Sequence, residues 1–413
     1  MDRRVILKKR STPATAGQEL IVTCPGGAEE VLADELREVG FADVRAETGA
    51  VRARRTGEAG IPEANRLLRT ASRVLMPVAA GPADDYDAAY AVVRSAPWDT
   101  LLPLDRTFAI SATARSAEIR DHRFLAMRAK DAIVDRQRER LQGKRSSVER
   151  HSPDVPVVVF AGDGRVEVSL DTSGAPLHER GYRTEHGEAP LRETVAAMML
   201  RAAGWPRQRL LVDPFCGAGT IAIEAALIAG GRVPGDLGRR YAYQRWSWIG
   251  GVGAGVGDGG AGAADRTAGA SAGIRIVAAD VDPAMVATAR RNAERAGVAD
   301  WIEFSVSDAA ATLETVGGLR TPGAGDTRRG GGGVVVTNPP YGERLAPADL
   351  DAVYGRVGGA MKQALPGWEV WMILGEAAPA RRLGLAPDRR LPVFNGGLAA
   401  QVCHYQIRER TRR

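Results

Sequence analysis

The chain has 413 residues, 44% of them hydrophobic and 26% charged, values of an ordinary globular protein that exclude a wholly disordered one. At roughly 100–200 residues per domain, the length predicts two or three domains. No apolar run approaches the roughly 20 residues a membrane helix needs, and Met1–Arg10 lacks the apolar core of a secretion signal, so a soluble protein with no membrane partner is expected. Cys24, Cys216 and Cys403 lie far apart, and the five histidines are scattered. Neither a disulfide framework nor metal-ligand spacing is indicated, which points to a reducing cytoplasm and to no metal.

Residues 1–17 read as a frayed tail. A short strand from Glu19, a Pro25-Gly26-Gly27 turn and a helix over Ala28–Val39 follow, the helix carrying apolar residues at helical spacing and stopping at Gly40. Strand-like runs at Val44–Ala53 and Arg73–Ala79 surround a helix near Pro62–Leu68. Residues 106–113 alternate as a strand, a helix runs from about Asp121 to Leu141, and Val155–Phe160 and Val166–Leu170 pair around Gly162-Asp163-Gly164. This is α+β texture. The net charge is +6, and residues 106–150 hold twelve Lys/Arg against six Asp/Glu, among them Arg115, Arg123, Lys130, Arg138, Lys144 and Arg145. Such a face suits phosphates. Charge alone leaves open a solvated helix in an Arg-rich chain.

After about Ala175, strands alternate with longer helices, the pattern of a mostly parallel, doubly wound α/β sheet. Strands are expected at Leu210–Asp213, Ile274–Asp280, Ile302–Ser305, Val334–Thr337 and Glu369–Leu374. A hairpin should join Leu391–Phe394 to Ala400–Arg408 around Asn395-Gly396-Gly397. Gly/Ala-rich inserts at 250–273 and 317–333 read as surface loops.

Ligands of such sheets bind beyond the carboxyl ends of the strands. Gly217 and Gly219 follow the first strand and allow close backbone approach, while Asp213 at its end suits a cationic group. The spacing is not that of a phosphate cradle. Asp280 ends the second strand and suits a ribose diol, with Asp282 placed to cap the helix opening at Pro283. Asp308 follows the third strand and suits an adenine amino group. Each Asp also has a plain reading as a loop or cap residue, but three at successive strand ends point to one ligand. The fourth strand ends in Asn338-Pro339-Pro340-Tyr341. Prolines remove backbone donors, leaving carbonyls and the Asn338 amide oxygen as acceptors. Acceptors around an exocyclic amine favour its pyramidal, nucleophilic state and stabilise the charge that grows during attack. Asn338 and the Pro339 carbonyl suit that role, and Tyr341 suits stacking on a base. Cys216 reads as a packing residue, since it lies away from the base segment. Trp246 and Trp248 fit nucleotide stacking or plain packing.

Asp213-Pro-Phe-Cys-Gly-Ala-Gly-Thr220, Asn338-Pro-Pro-Tyr-Gly-Glu-Arg-Leu345, Leu177-His-Glu-Arg-Gly-Tyr-Arg183, Ala189-Pro-Leu-Arg-Glu-Thr194 and the Asn395-Gly396 hairpin together resemble a known family. The chain is similar to THUMP-domain class I S-adenosylmethionine-dependent RNA methyltransferases, the group of bacterial 23S rRNA and tRNA guanine-N2 enzymes. The resemblance implies a ferredoxin-like plus THUMP RNA-binding module over 18–175 and a Rossmann-like methyltransferase domain over 176–413. It implies S-adenosylmethionine held by Asp213, Phe215, Gly217, Gly219, Asp280, Asp308 and Asn338, with Asn338, Pro339 and Tyr341 catalytic at the target base. It implies a basic stretch that grips structured RNA, either tRNA or 23S rRNA, with no obligate protein partner evident. Where relatives often carry Met-Cys-Gly-Ser-Gly, this chain has Phe-Cys-Gly-Ala-Gly, so a serine contact is not expected. A second methyltransferase domain carried by some relatives finds no counterpart before Arg413. The alternatives are the same chemistry on DNA adenine or a protein glutamine, and a non-catalytic RNA-binding protein.

Overall fold

The computed structural model describes residues 18–55, 60–183, 191–249, 274–318, 332–341, 347–376, 378–395 and 398–408. The Gly-Glu-Arg-Leu extension, the Gly396-Gly397 turn and nearly all of both Gly-rich inserts lie outside them.

In chain order the first half contains β1 (Gln18–Thr23), α1 (Glu29–Glu38), β2 (Ala42–Glu47), β3 (Ala50–Arg55), α2 (Gly60–Leu67) and β4 (Arg73–Pro82). It continues with α3 (Tyr86–Ser95), α4 (Trp98–Leu101), β5 (Thr107–Ala114), α5 (His122–Arg140), β6 (Ser147–Val148), β7 (Val155–Gly162) and β8 (Arg165–Asp171). All eight strands join one sheet, ordered β2-β3-β1-β4-β8-β7-β5-β6. Strand β4 makes the join, pairing with β1 through Arg73–Leu75 and with β8 along Leu75–Pro82. Two α+β units therefore share one strand and one continuous core.

Two elements differ from expectation. The run 44–53 is a hairpin, not one strand, and Gly49 at φ +75° makes the turn between β2 and β3. Because β2 is an edge strand with no buried residue, no alternation marks it in the sequence. Helix α3 is the second. The Asp85 carboxylate caps it by accepting from the N–H groups of Asp87 and Ala88, and Ala89 and Val93 bury against the core. Its partner α5 starts at Asp121, which caps Arg123 and Phe124, and buries Leu125, Ala129, Ala132 and Ile133. At its far end Gln137, fully buried, donates to the Leu102 carbonyl (2.8 Å) and the Ser146 hydroxyl (3.0 Å).

The second half contains α6 (Glu193–Ala202), β9 (Leu211–Asp213), α7 (Thr220–Ala229), β10 (Ile276–Asp280), α8 (Pro283–Arg295) and β11 (Ile302–Val306). Then come α9 (Ala309–Gly317), β12 (Val334–Thr337), α10 (Pro347–Ala364), β13 (Glu369–Gly375), β14 (Arg389–Asn395) and β15 (Leu398–Gln406). Their sheet is ordered β11-β10-β9-β12-β13-β15-β14. Strands β9 to β13 run parallel, whereas β15 pairs antiparallel with both β13 and β14. From β9 the chain first builds outward to β11 and then returns to place β12 on the other side. That reversal opens a crevice at the carboxyl ends of β9 and β12.

A buried ionic knot ties the halves together. Arg180, 2% exposed, donates to the Leu177 carbonyl (2.7 Å), to the Arg69 carbonyl beyond α2, and to Glu224 of α7 (3.4 Å). Glu224 also accepts the Tyr182 hydroxyl (3.2 Å). Arg183 joins the Leu191 carbonyl (2.9 Å), Glu193 (3.0 Å) and the Thr220 hydroxyl (3.3 Å). The Arg-Gly-Tyr-Arg segment is thus the joint itself. A second contact lies at the hairpin, where the Phe394 N–H donates to the Gly26 carbonyl (3.2 Å). A Cβ on Gly27 would stand 1.7 Å from the Pro392 carbonyl, and Gly27 has φ +88°.

Gly27→Ala and Gly49→Ala test this docking. Both place a side chain at positive φ, at a cost of about 1–2 kcal/mol, but only Gly27→Ala also forces the β1–α1 turn off β14. Thermal unfolding should show a clearly larger drop in midpoint for Gly27→Ala; equal drops would mean that the turn does not seat on the hairpin.

Candidate active site

The strand ends bring Asp213, Phe215, Gly217, Gly219, Asp280, Asp308, Asn338, Pro339 and Tyr341 to one edge of the second sheet. Asp213 closes β9 at 1% exposure, accepting from the Thr337 hydroxyl (2.7 Å) and the Phe215 N–H (3.3 Å). Burial pushes its carboxyl up to about 7, against which those two hydrogen bonds work. Because Thr337 precedes Asn338, this bond locks β12 to β9 beside the crevice.

The turn after β9 is held from outside. The Cys216 N–H donates to the Ala279 carbonyl (2.8 Å), the Gly217 N–H to Asp280 (2.9 Å), and buried Asn292 donates to the Ala218 carbonyl (3.1 Å). Gly219 (φ +84°) is where α7 meets α8, and a Cβ there would lie 2.9 Å from that of Ala289. Gly217 (φ +49°) instead faces open space within 4 Å. One glycine serves packing and the other leaves room for a ligand. Asp280 uses one oxygen for Gly217 and the other for the Asp282 N–H (3.0 Å), which leaves two of its roughly four lone-pair positions for ligand hydroxyls. Asp282 caps α8 through Ala284, the role expected of it.

Asp308 realises its plain reading. One oxygen caps α9 through the Ala310 N–H (3.0 Å), and the other meets Arg356 (3.3 Å). Cys216 is buried and its thiol pushed well up by burial, as a packing residue should be. Trp246 and Trp248 stack on each other, centroids 5.2 Å apart, and donate to the carbonyls of Asp154 (2.7 Å) and Leu101 (3.2 Å). They are packing residues.

At the β12 end, Asn338 Oδ1 is buried and has no hydrogen-bond partner among the described residues. Pro339 is buried. Of the two proline carbonyls, that of Pro340 is engaged by the Tyr354 hydroxyl (3.1 Å), which tethers the loop to α10. The Tyr341 ring lies over Gly375, where a Cβ would approach it to 2.5 Å. Two further residues belong here that motif reading missed. Val281 and Val306, 71% and 56% exposed, present apolar surface at the ends of β10 and β11 beside Asp280. The signal was available: a valine between two aspartates at a strand end has no core to fill.

The basic residues divide by exposure. Arg115, Arg123, Arg138, Lys144 and Arg145 are exposed, whereas half-buried Lys130 pairs with Asp131 (3.1 Å). At 100° per residue, Arg123, Lys130 and Arg138 fall within about 80° of arc on α5. Met127, 47% exposed, lies in the same stripe. No group of His, Cys, Asp and Glu among the described residues is placed to hold a metal ion, and no described helix is long and apolar enough to cross a membrane.

The strand order, the glycine turn after β9 and the terminal antiparallel strands are those of a class I methyltransferase. Residues 180–403 match the family model of the RMKL-like methyltransferase domain, and the chain belongs to that family. Residues 19–75 match the RlmL ferredoxin-like domain and 83–171 the THUMP domain. A ribosomal RNA large subunit methyltransferase K/L from Pseudomonas paraeruginosa is 36% identical over 402 residues. That alignment takes in 95% of this chain and 53% of the relative, so the chain spans about half the relative's length. A possible methylase from Clostridium difficile 630 superposes with a TM-score of 0.77 at 30% identity, covering 96% of this chain and 100% of its own. SMU.472 in complex with S-adenosylhomocysteine also gives 0.77, at 25% identity, over 96% of this chain and 100% of that one.

The buried carboxyl of Asp213 makes stability fall as pH rises. An unfolded Asp ionises near 4, so between about pH 4 and 7 unfolding releases a proton, and the loss is complete above about 7. Asp213→Asn should therefore gain on the parent progressively from pH 4 to 7 and hold that gain above it in urea unfolding. A difference that does not change with pH would place the carboxylate outside this buried position.

Proposed function

We propose that the chain transfers a methyl group from S-adenosylmethionine to the exocyclic N2 of a guanosine in large-subunit ribosomal RNA. Residues 18–175 would hold the RNA and residues 176–413 carry the chemistry. The observation that carries the reading is the Asn338 oxygen, buried and unpartnered among the described residues, at the same edge of the sheet as Asp213 and Asp280. The relatives' names favour ribosomal over transfer RNA, and the ferredoxin-like and THUMP matches favour RNA over DNA or a protein glutamine.

The residues present fit the donor. Gly217 leaves open space beside the turn, Asp280 keeps lone pairs for the ribose hydroxyls, and Val281 and Val306 offer apolar surface to the adenine faces. Asp213 supports the turn from beneath, and its ionised form favours a cationic amino group. Asp308 would reach the adenine amino group only with lone pairs left over from capping and from Arg356. Phe215, half-buried behind the turn, shapes the floor. Bound S-adenosylmethionine would supply an electrophilic methyl on a sulfonium.

Asn338 Oδ1 and the Pro339 carbonyl accept the two N–H groups of the guanine amine, whose lone pair is otherwise drawn into the ring. Tyr341, backed by Gly375, stacks on the extruded base. Holding amine and donor in line supplies much of the rate. No strong base is required beforehand, because the amine proton acidifies as nitrogen gains the methyl. Exposed Arg115, Arg123, Arg138, Lys144 and Arg145 meet phosphates, with Lys130 in the same stripe. The reaction would take place in the cytoplasm, where ribosomal RNA is made.

The test is to incubate the full chain with deproteinised large-subunit RNA and methyl-labelled donor, and then to analyse nucleosides by mass spectrometry. Label should appear in N2-methylguanosine; label in a methylated adenosine, or none in RNA, would overturn the assignment. Asn338→Ala should lower turnover by about 10²–10³-fold, the scale of losing one preorganised group in the transition state. Donor affinity by calorimetry should stay within about twofold. Unchanged turnover would remove Asn338 from the chemistry.

A further inference from the structure

A second hollow, of about 560 Å³, opens on the far side of Tyr341. Its construction follows from the pleat of the last two strands. Along β14, Arg390, Pro392 and Phe394 point to one face, and their register partners on β15 are Cys403, Gln401 and Ala399. The opposite face carries Val393 and Val402 into the main core. On the first face the helical layer is short. Helix α10 and the turn Ala380–Leu383 pack on β13 and on Cys403 and Tyr405 of β15, and beyond them Arg390, Pro392 and Phe394 of β14 are exposed. The result is a trough with an apolar floor that includes Leu374, Pro392, Phe394 and Tyr405.

Its rim is cationic. Arg381 and Arg390 line it and are exposed, and neither has a carboxylate partner among the described residues. Among the described residues, the only hydrogen bond of the Arg390 side chain is to the Gln401 amide oxygen, at 3.5 Å. The neighbouring Arg382 is committed to Asp351 (2.6 Å). Glu376 is the one carboxylate among the described residues lining the trough. Phe394 is 54% exposed, with one ring edge seated on Gly26 and the remainder open. The trough and the active site share a wall, because Gly375 lines the trough while the Tyr341 ring lies on that same glycine.

We infer that this trough is a second nucleotide subsite, which takes the ribonucleotide adjacent in the strand to the one methylated. It rests on the reading of RNA as substrate and adds where the strand runs next. Its volume falls in the roughly 300–1,000 Å³ range of small-ligand sites, enough for one nucleotide. The exposed aromatic on an apolar floor stacks a base without regard to sequence. The paired guanidinium groups meet a phosphate. Once the target base leaves its stack, its neighbour loses a stacking face, and the trough replaces it within the reach of one phosphodiester. The Pro25-Gly26-Gly27 turn of the RNA-binding half forms the outer support, so the strand is passed from one half of the molecule to the other across the hairpin.

The experiment uses the full chain and large-subunit RNA. The Arg381→Ala/Arg390→Ala double variant should raise KM for RNA about tenfold, leave kcat within about twofold, and leave donor affinity unchanged. The salt dependence of its binding should flatten by about 1.4, at about 0.7 per lost contact to a single strand. Phe394→Ala should raise KM for RNA about fivefold, Phe394→Trp should restore it, and Phe394→Leu should not. An unchanged KM in the Arg and Phe394→Ala variants overturns the subsite. A loss confined to the Arg variants, or rescue by Phe394→Leu, overturns it too, leaving only a basic patch or an apolar plug. If the parent methylates no RNA, the proposed function fails on its own account. The subsite is then decided by fluorescence anisotropy with a labelled oligouridylate. Weaker binding by both the Arg and Phe394→Ala variants upholds it, and equal binding refutes it.

Discussion

A buried carbonyl oxygen without a donor costs a folded protein about 1–3 kcal/mol, and Asn338 Oδ1 is in that position. Everything around it prevents an easy remedy. Pro339 and Pro340 offer no N–H, the Pro340 carbonyl is pinned by Tyr354, and Thr337 spends its hydroxyl on Asp213. Among the described residues, then, the neighbouring chain leaves that oxygen unpaired, open to a donor from outside. An amine with two N–H groups is such a donor. In the proposed reaction, preorganisation would mean that the cost is borne in the free protein and recovered when charge develops on the amine nitrogen.

The same economy links the site to the rest of the molecule. Thr220 opens α7 immediately after the glycine turn, and Arg183 bonds its hydroxyl while also holding Glu193. Four residues further on, Glu224 receives Arg180, which is anchored in turn to the Arg69 carbonyl of the first half. Removing one partner from a buried pair of this kind costs about 3–5 kcal/mol, because the remaining charge is stranded. The ionic knot therefore fixes the orientation of the eight-stranded sheet relative to the glycine turn after β9. A segment recognisable in sequence as a family signature turns out to be a mechanical joint, its arginines spent on contacts within the fold.

Much of this was legible in the sequence, because the parallel half advertises itself. Its strands β9, β10 and β12 are short, mostly buried apolar runs that end at or beside Asp213, Asp280 and Asn338, residues that a core would not accept unpaired. The α5 helix and the β7–β8 hairpin were legible for similar reasons of periodicity and turn chemistry. Strand β2 was not, since an exposed edge strand has no buried face to impose alternation, and α3 hid in a short Ala/Tyr/Asp stretch whose one clear mark is the cap at Asp85. Within the site, Asp308 was ambiguous in the sequence because a carboxylate at a strand end is also a carboxylate at a helix start, and the fold shows it capping α9. The anchoring of the donor turn by Asn292 was invisible because it joins residues 74 positions apart.

The antiparallel end of the second sheet explains why the two halves meet where they do. A parallel strand needs a crossover, usually a helix, and that helix covers the sheet. Strands β14 and β15 need only a hairpin, so the chain adds two strands to the sheet without adding a layer over them. One exposed surface of that hairpin carries Arg390, Pro392 and Phe394, while its strand β14 receives the β1–α1 turn of the first half at Pro392 and Phe394. Had the sheet closed with a crossover helix, that helix would occupy the space beside Gly375, and the Tyr341 ring would be walled off from solvent on that side. The reversed strands thus do two things at once: they dock the first half of the chain, and they keep open the ground between that half and the Tyr341 loop, where the proposed substrate would lie.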